Sequence, residues 1–169
     1  VLTGKEFDLL QSAVYNREVM PSMRSMWSAG DALSKNHFRG YNCSYKDVDH
    51  IRVFDEILYI LMAGTGVGFG ARAKDVNKLP IINDNFVQTD RVISVEDSAE
   101  GWAKALRKLI AELYLGNIHN WDYSKVRPEG ARLKTMGGRA SGPEPLKDLF
   151  AFVTAKFKSA AGRKLRPIE

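Results

Sequence analysis

Apolar residues recur at helical spacing in four stretches, and these set the expected elements. Thr3-Gly4-Lys5-Glu6 has the Thr-x-x-Glu form of a capping box, and Phe7, Leu10 and Val14 follow it, which predicts a helix over 4–15. Ile51, Phe54, Ile57, Leu58 and Leu61 predict a largely buried helix over 48–62, broken by the glycines from Gly64 to Gly70. Asp97-Ser98-Ala99-Glu100 reads as a second capping box. The stripe Trp102, Leu106, Leu109, Ile110 and Leu113 follows, with Gly116 at C′, so a helix is expected over 98–115. Leu146, Leu149, Phe150, Val153 and Phe157 stripe a last helix that starts with Pro143 at N1 and stops at Gly162. Between these, 21–40 is rich in Ser, Gly, Asn and Asp and reads as loop. Residues 41–45 read as a strand end or turn, Ile81-Ile82 and Val92-Ile93 as short strands or an irregular excursion, and 130–143 as a glycine-rich loop. Helices alternating with a few strands imply an α/β arrangement.

Composition narrows the class. The 169 residues are 44% hydrophobic and 27% charged, an ordinary globular balance for a chain that can bury a core. No apolar run reaches the roughly 20 residues of a membrane helix, and no secretory signal is visible. A single cysteine excludes an internal disulfide and a cysteine-cluster metal site, and favours a reducing, cytoplasmic setting. The chain starts at Val1 and stops at Glu169 without a tail, so it is expected to be a piece of something larger.

Charge is uneven. Residues 125–169 hold eleven Lys/Arg against four Asp/Glu, whereas 1–124 are slightly acidic. A polyanion near the C-terminal third is one reading and a solvated basic face the other. Gly64-x-Gly66-x-Gly68 lacks the preceding strand and following helix of a dinucleotide fingerprint, so tight packing and ligand contact stay open there. Gly137-Gly138-Arg139-Ala140-Ser141-Gly142-Pro143 offers N–H groups, an Arg and a Ser ahead of a helix, which suits an anion. Cys43 by itself reads as a small buried hydrophobe, and His37, His50 and His119 as surface or capping residues without metal-ligand spacing.

Taken together, several segments resemble the adenosylcobalamin-dependent (class II) ribonucleotide reductases, in particular their ribonucleoside-triphosphate reductase branch. The segments are Met20-Pro21-Ser22-Met23-Arg24-Ser25-Met26-Trp27-Ser28-Ala29-Gly30, Tyr41-Asn42-Cys43-Ser44, Met62-Ala63-Gly64-Thr65-Gly66-Val67-Gly68-Phe69 and Asp97-Ser98 before Gly101-Trp102. Val126-Arg127-Pro128-Glu129-Gly130-Ala131-Arg132-Leu133-Lys134-Thr135, with the 137–143 loop and Gly162-Arg163-Lys164-Leu165, completes the series in order.

The resemblance implies a helical lead-in (1–40), a first barrel strand and helix (41–70), an effector-type region (71–125) and a return to the barrel (126–169), together the first part of a ten-stranded α/β barrel. It implies reduction of ribonucleoside triphosphates to 2′-deoxyribonucleotides by radical chemistry that adenosylcobalamin starts. Cys43 matches one of the two reducing cysteines. Ser25 and, more weakly, Ser22 match substrate contacts, Asn42 adjoins the thiol, and Thr65 and Gly66 match backbone lining the nucleotide site. Arg127, Arg132, Lys134, Arg139 and Ser141 are candidates for phosphate or effector contacts.

The implied partners are the triphosphate substrate, a deoxynucleoside triphosphate effector, a thioredoxin-type reductant and the remaining C-terminal part of the reductase. That part would carry the Cys-x-Glu site, the radical cysteine and most of the cobalamin site, so the chain alone is not expected to complete the reaction. The competing expectations are a non-catalytic nucleic-acid module using the basic third, and a nucleotide sensor without chemistry. The 125–150 stretch lacks the aromatic-basic interleaving of a stacking platform.

Overall fold

A computed structural model describes residues 2–133 and 137–169. The chain divides into two compact units, Val1–Asn42 and Cys43–Glu169.

The first unit is helical. α1 (Gly4–Tyr15) starts as expected: Thr3 accepts from Glu6 N, and the Glu6 carboxylate takes the Thr3 N–H at 2.8 Å. Its apolar stripe is not buried, and Phe7, Leu10 and Val14 all stay exposed. The expected loop at 21–40 is in fact short helices: α2 (Met23–Ser28), α3 (Asp31–Lys35) and a 3₁₀ turn over His37–Gly40. The small polar residues that suggested a loop serve as caps and fillers. Ser22 caps α2, Asn36 caps the 3₁₀ turn by accepting from Phe38 N, and the buried Ser28 hydroxyl donates to Arg24 O at 2.7 Å.

The second unit holds two parallel strand pairs. β1 (Cys43–Asp47) pairs with β2 (Gly66–Gly70) through α4 (Val53–Met62), and β3 (Val87–Ser94) pairs with β4 (Asn117–Asp122) through α6 (Ala99–Tyr114). A short α5 (Ala73–Val76) lies between the pairs in sequence, and α7 (Glu144–Ser159) follows them. The fold class is thus mixed α/β with two small parallel sheets.

Three expectations need adjustment. The helix expected from 48 begins only at Val53. The cap of α6 is Ser98, which accepts from Gly101 N at 2.9 Å, while Asp97 turns away to Arg127. Pro143 occupies the N-cap of α7 rather than N1. The glycine run is a strand, with Gly64 at φ +83° ending α4 just before it.

The core is the α6 stripe, packed on Val53, Leu79, Ile82, Val95, Leu146 and Phe150. Aromatic edges lock α7 onto it: Trp121 and Phe150 meet at 4.7 Å, Tyr114 and Phe157 at 5.0 Å. No helix among the described residues is long and apolar enough to cross a membrane.

Candidate functional site

Strand alternation assigns the two faces of the β1–β2 pair. Cys43, Tyr45 and Asp47 lie opposite Gly66, Gly68 and Gly70 in register, so all six share one face. Lys46 points the other way, to Glu56 on α4 at 2.7 Å. α4 therefore covers the Ser44/Lys46 side, and the cysteine face is floored by glycine. Cys43 is exposed, contrary to the buried hydrophobe its residue type alone suggested. Its register partner on β2 is Gly66, which has no side chain to set against the sulfur. The Ser44 hydroxyl donates to Gly66 O at 3.2 Å and adds a cross-strand tie at the thiol end of the pair.

Further along that face an exposed ring is held in place. The Tyr45 hydroxyl donates to Asp47 Oδ1 at 2.8 Å, and Asp47 in turn accepts from Arg72 Nη2 at 2.9 Å. The Asp47 carboxylate raises the Tyr45 phenol above its usual value. Arg72 also donates to Asp75 at 2.7 Å, and Lys78 reaches the same residue at 3.2 Å. A Cβ on Gly68 would touch the Tyr45 ring at 3.5 Å, and one on Gly70 would collide with the Tyr45 hydroxyl and Asp47. Gly70 is thus tight against the ends of two side chains, while Gly68 leaves the ring at ordinary contact distance. Sequence reasoning missed Tyr45, Asp47 and Arg72; alternation read outward from Cys43 would have found the first two.

The other expected site residues fall in separate places. Ser22 and Ser25 belong to the first unit and meet there, the Ser22 hydroxyl accepting from Ser25 N at 3.4 Å. Asn42 is the last residue of that unit. In the second unit Thr65 is buried and leads directly into Gly66 at the start of β2. Arg132 and Arg139 face each other across an antiparallel bridge, and Arg139 Nη1 donates to Gly130 O at 2.9 Å. The Ser141 hydroxyl donates to Gly142 O at 3.3 Å. Gly142, at φ +73°, packs on Glu129, where a Cβ would come within 3.0 Å of the backbone nitrogen. Lys134 lies outside the described residues.

Arg127 is committed to Asp97. Its Nε lies 3.0 and 2.8 Å from the two carboxylate oxygens, and its backbone N–H donates to the same group at 3.3 Å. The basic C-terminal third is internally paired at other points too. Arg163 and Arg166 converge on Glu169, holding its carboxyl far below the usual range, and Lys147 pairs with Glu144.

Elsewhere Asp55, almost fully buried, takes Arg107 Nε at 2.9 Å and Nη2 at 2.6 Å, joining α4 to α6. His119, expected at the surface, is buried on β4 against Thr89 and Glu112. An apolar cavity of about 410 Å³ lies among α4, α7 and Phe69 of β2, with Lys156, Arg166 and Glu169 at its rim. That aliphatic and aromatic lining offers few hydrogen-bond partners for the amide-fringed edge of a corrin, so these residues do not fit cobalamin. Among the described residues no group of His, Cys, Asp or Glu could hold a metal ion.

A family model for the insertion domain of B12-dependent ribonucleotide reductase matches residues 65–156. That is more than half of the chain, which belongs to this family.

Among curated relatives, the adenosylcobalamin-dependent ribonucleoside-triphosphate reductase of Euglena gracilis is 28% identical over 166 residues, covering 92% of this chain and 22% of the relative. The enzyme of the same name from Lactobacillus helveticus is 25% identical over 218 residues, covering 92% and 29%. A solved B12-dependent (class II) ribonucleotide reductase superposes with a TM-score of 0.85 at 21% identity, over 97% of this chain and 31% of that one, and so shares the fold. The chain spans between a fifth and a third of the length of these relatives.

Proposed function

We propose that this chain forms part of an adenosylcobalamin-dependent ribonucleoside-triphosphate reductase and supplies one of its two reducing thiols. The observation that carries this is the exposed Cys43 at the head of β1, beside the glycine backbone of β2, in a chain of this family. In the net reaction a ribonucleotide and two thiols give a 2′-deoxyribonucleotide, water and a disulfide. The thiols provide two electrons and two protons, and the 2′-oxygen leaves as water. Cys43 is one thiol, and since the chain has a single cysteine the other lies elsewhere in the reductase. A thioredoxin-type dithiol then reduces the disulfide by exchange, which needs an accessible sulfur.

Cobalamin would supply radical initiation when bound, held mainly by the part of the reductase outside this chain. The chain's own residues bind and orient. Ser22, Ser25 and Asn42 are assigned to substrate contact, and Thr65 and Gly66 to the nucleotide wall behind the thiol. The 71–125 region is assigned to the deoxynucleoside triphosphate effector, with Arg132, Arg139, Ser141 and Lys134 as its phosphate candidates. Arg127 is set aside because Asp97 already occupies its guanidinium. The β1–β2 pair is assigned to a ten-stranded α/β barrel that other parts of the reductase complete. The single free thiol suits a reducing cytoplasm.

The nucleic-acid reading loses ground because Arg127, Arg163, Arg166 and Lys147 are spent on internal carboxylates. The test is Cys43→Ser in the complete reductase. Turnover with an external dithiol should fall by at least ~100-fold, while cobalamin binding is retained. Unchanged turnover would remove Cys43 from the reaction.

A further inference from the structure

β3 does not run evenly along β4. Gln88 pairs with Ile118 and Val92 with Asn120, so Thr89, Asp90 and Arg91 bulge opposite His119 alone. Side chains take the place of the missing ladder at that bulge. The Thr89 hydroxyl reaches Ile118 O at 3.2 Å and also meets His119 Nδ1 in a very short contact. On the other side of the ring, His119 Nε2 lies 3.2 Å from Glu112 Oε2 on α6. No aligned bond joins them, and Nε2 is buried without another partner. Asn117 Nδ2 donates to the same Glu112 oxygen at 3.0 Å. Asn117, and after it His119 and the nearby Arg91, keep the Glu112 carboxyl below its usual range, so that it faces the ring as an anion.

A hydrogen count constrains this cluster. Thr89 has one hydroxyl proton. If it goes to Ile118 O, His119 Nδ1 must carry the proton that joins it to Thr89. A carboxylate facing Nε2 calls for a proton there as well. Only the imidazolium satisfies Thr89, Ile118 and Glu112 together. A neutral ring must give up either the Ile118 link or the Glu112 link, or else set a bare nitrogen lone pair against an anion in a buried place.

We propose that His119 is a proton-operated latch that fastens the β3 bulge to the end of α6. Charged, it holds Thr89 on one side and Glu112 on the other. On losing its proton it releases one of them, and the bulge 89–91 loosens. Glu112 of α6 is the charge that faces it and Thr89 its neutral partner, while Arg91 of β3 and Asn117 act on Glu112.

The test is a histidine ring-nitrogen NMR titration of the whole chain between about pH 5 and 9. His119 is assigned with His119→Gln. Both ring nitrogens should be protonated at the acid end, and amides 89–92 should exchange faster than their intrinsic rates require once the proton leaves. Glu112→Gln should weaken proton affinity at His119 by roughly tenfold. A ring that stays neutral down to the acid end overturns the latch, as does a midpoint unmoved by Glu112→Gln. Should that variant fail to fold, the nitrogen shifts of the unmodified chain decide alone.

Discussion

In β1–α4–β2 the helix buries Val53, Asp55 and Ile60, and one sheet face carries a thiol over bare glycine. In β3–α6–β4 the helix buries seven residues, and even its polar contacts are turned inward. These two strand–helix–strand units, both within Cys43–Glu169, share a parallel plan and differ in where their side-chain volume sits. The second spends its volume on a core, with Leu113 fully enclosed. The first leaves one face thin, which lets a sulfur and a ring stand at the surface. Access goes with the thin face, and close packing with the thick unit.

Substitutions can break or sharpen that contrast. The largest effect is expected from Leu113→Ala, which should cost about 3–4 kcal/mol as a cavity in a rigid site. Leu61→Ala on the half-exposed side of α4 should cost less than about 1 kcal/mol. Equal losses in thermal or denaturant unfolding would show that the two helices are equally embedded. Next, Arg107→Ala strands the Asp55 carboxylate between the helices. A loss of about 2–3 kcal/mol is expected, and Asp55→Asn in the same background should recover part of it.

Gly70→Ala pushes on the Tyr45 hydroxyl and Asp47. Because both are side-chain ends that can swing aside, the cost should be only about 1 kcal/mol. Its signature is spectroscopic: without Asp47 as partner, the Tyr45 phenol should titrate lower than in the parent chain.

The smallest effect is that of acid. Arg163, then Arg166, depress the Glu169 carboxyl, and Asn117, then His119, depress that of Glu112. Carboxyls lowered on folding give stability that is present above their unfolded value of about 4.5 and is lost as pH falls below it. Glu169→Gln should flatten the acid limb of a melting-temperature profile, and an unchanged limb would show that the Arg163 pair contributes nothing in solution.

Much of the thick unit was legible because its signal is periodic. The stripe from Trp102 to Leu113, closed by Gly116 at φ +84°, gave α6 to within a residue at either end. The thin unit was harder, since three glycines in Gly-Val-Gly-Phe-Gly dilute the β-propensity of Val67 and Phe69 and mask their alternation. Residues 21–40 misled because Ser22, Ser28 and Asn36 have loop composition but act as caps and fillers. His119 misled in the opposite direction. Nothing near it in sequence reveals a β3 bulge some thirty residues earlier. Of the thiol site, Cys43 and Gly66 were reached through resemblance, whereas exposure of the sulfur is a property of the folded sheet.

The bond between Asp55 and Arg107 has a mechanical consequence. An apolar seam between two helices tolerates sliding, since one leucine replaces another at little cost. A charge driven into that seam has a single satisfactory address, so α4 cannot advance a turn along α6 without leaving an ion stranded in oil. The pair works as a dowel between the thin unit and the thick one, and a push on either helix arrives at the other as translation rather than slip.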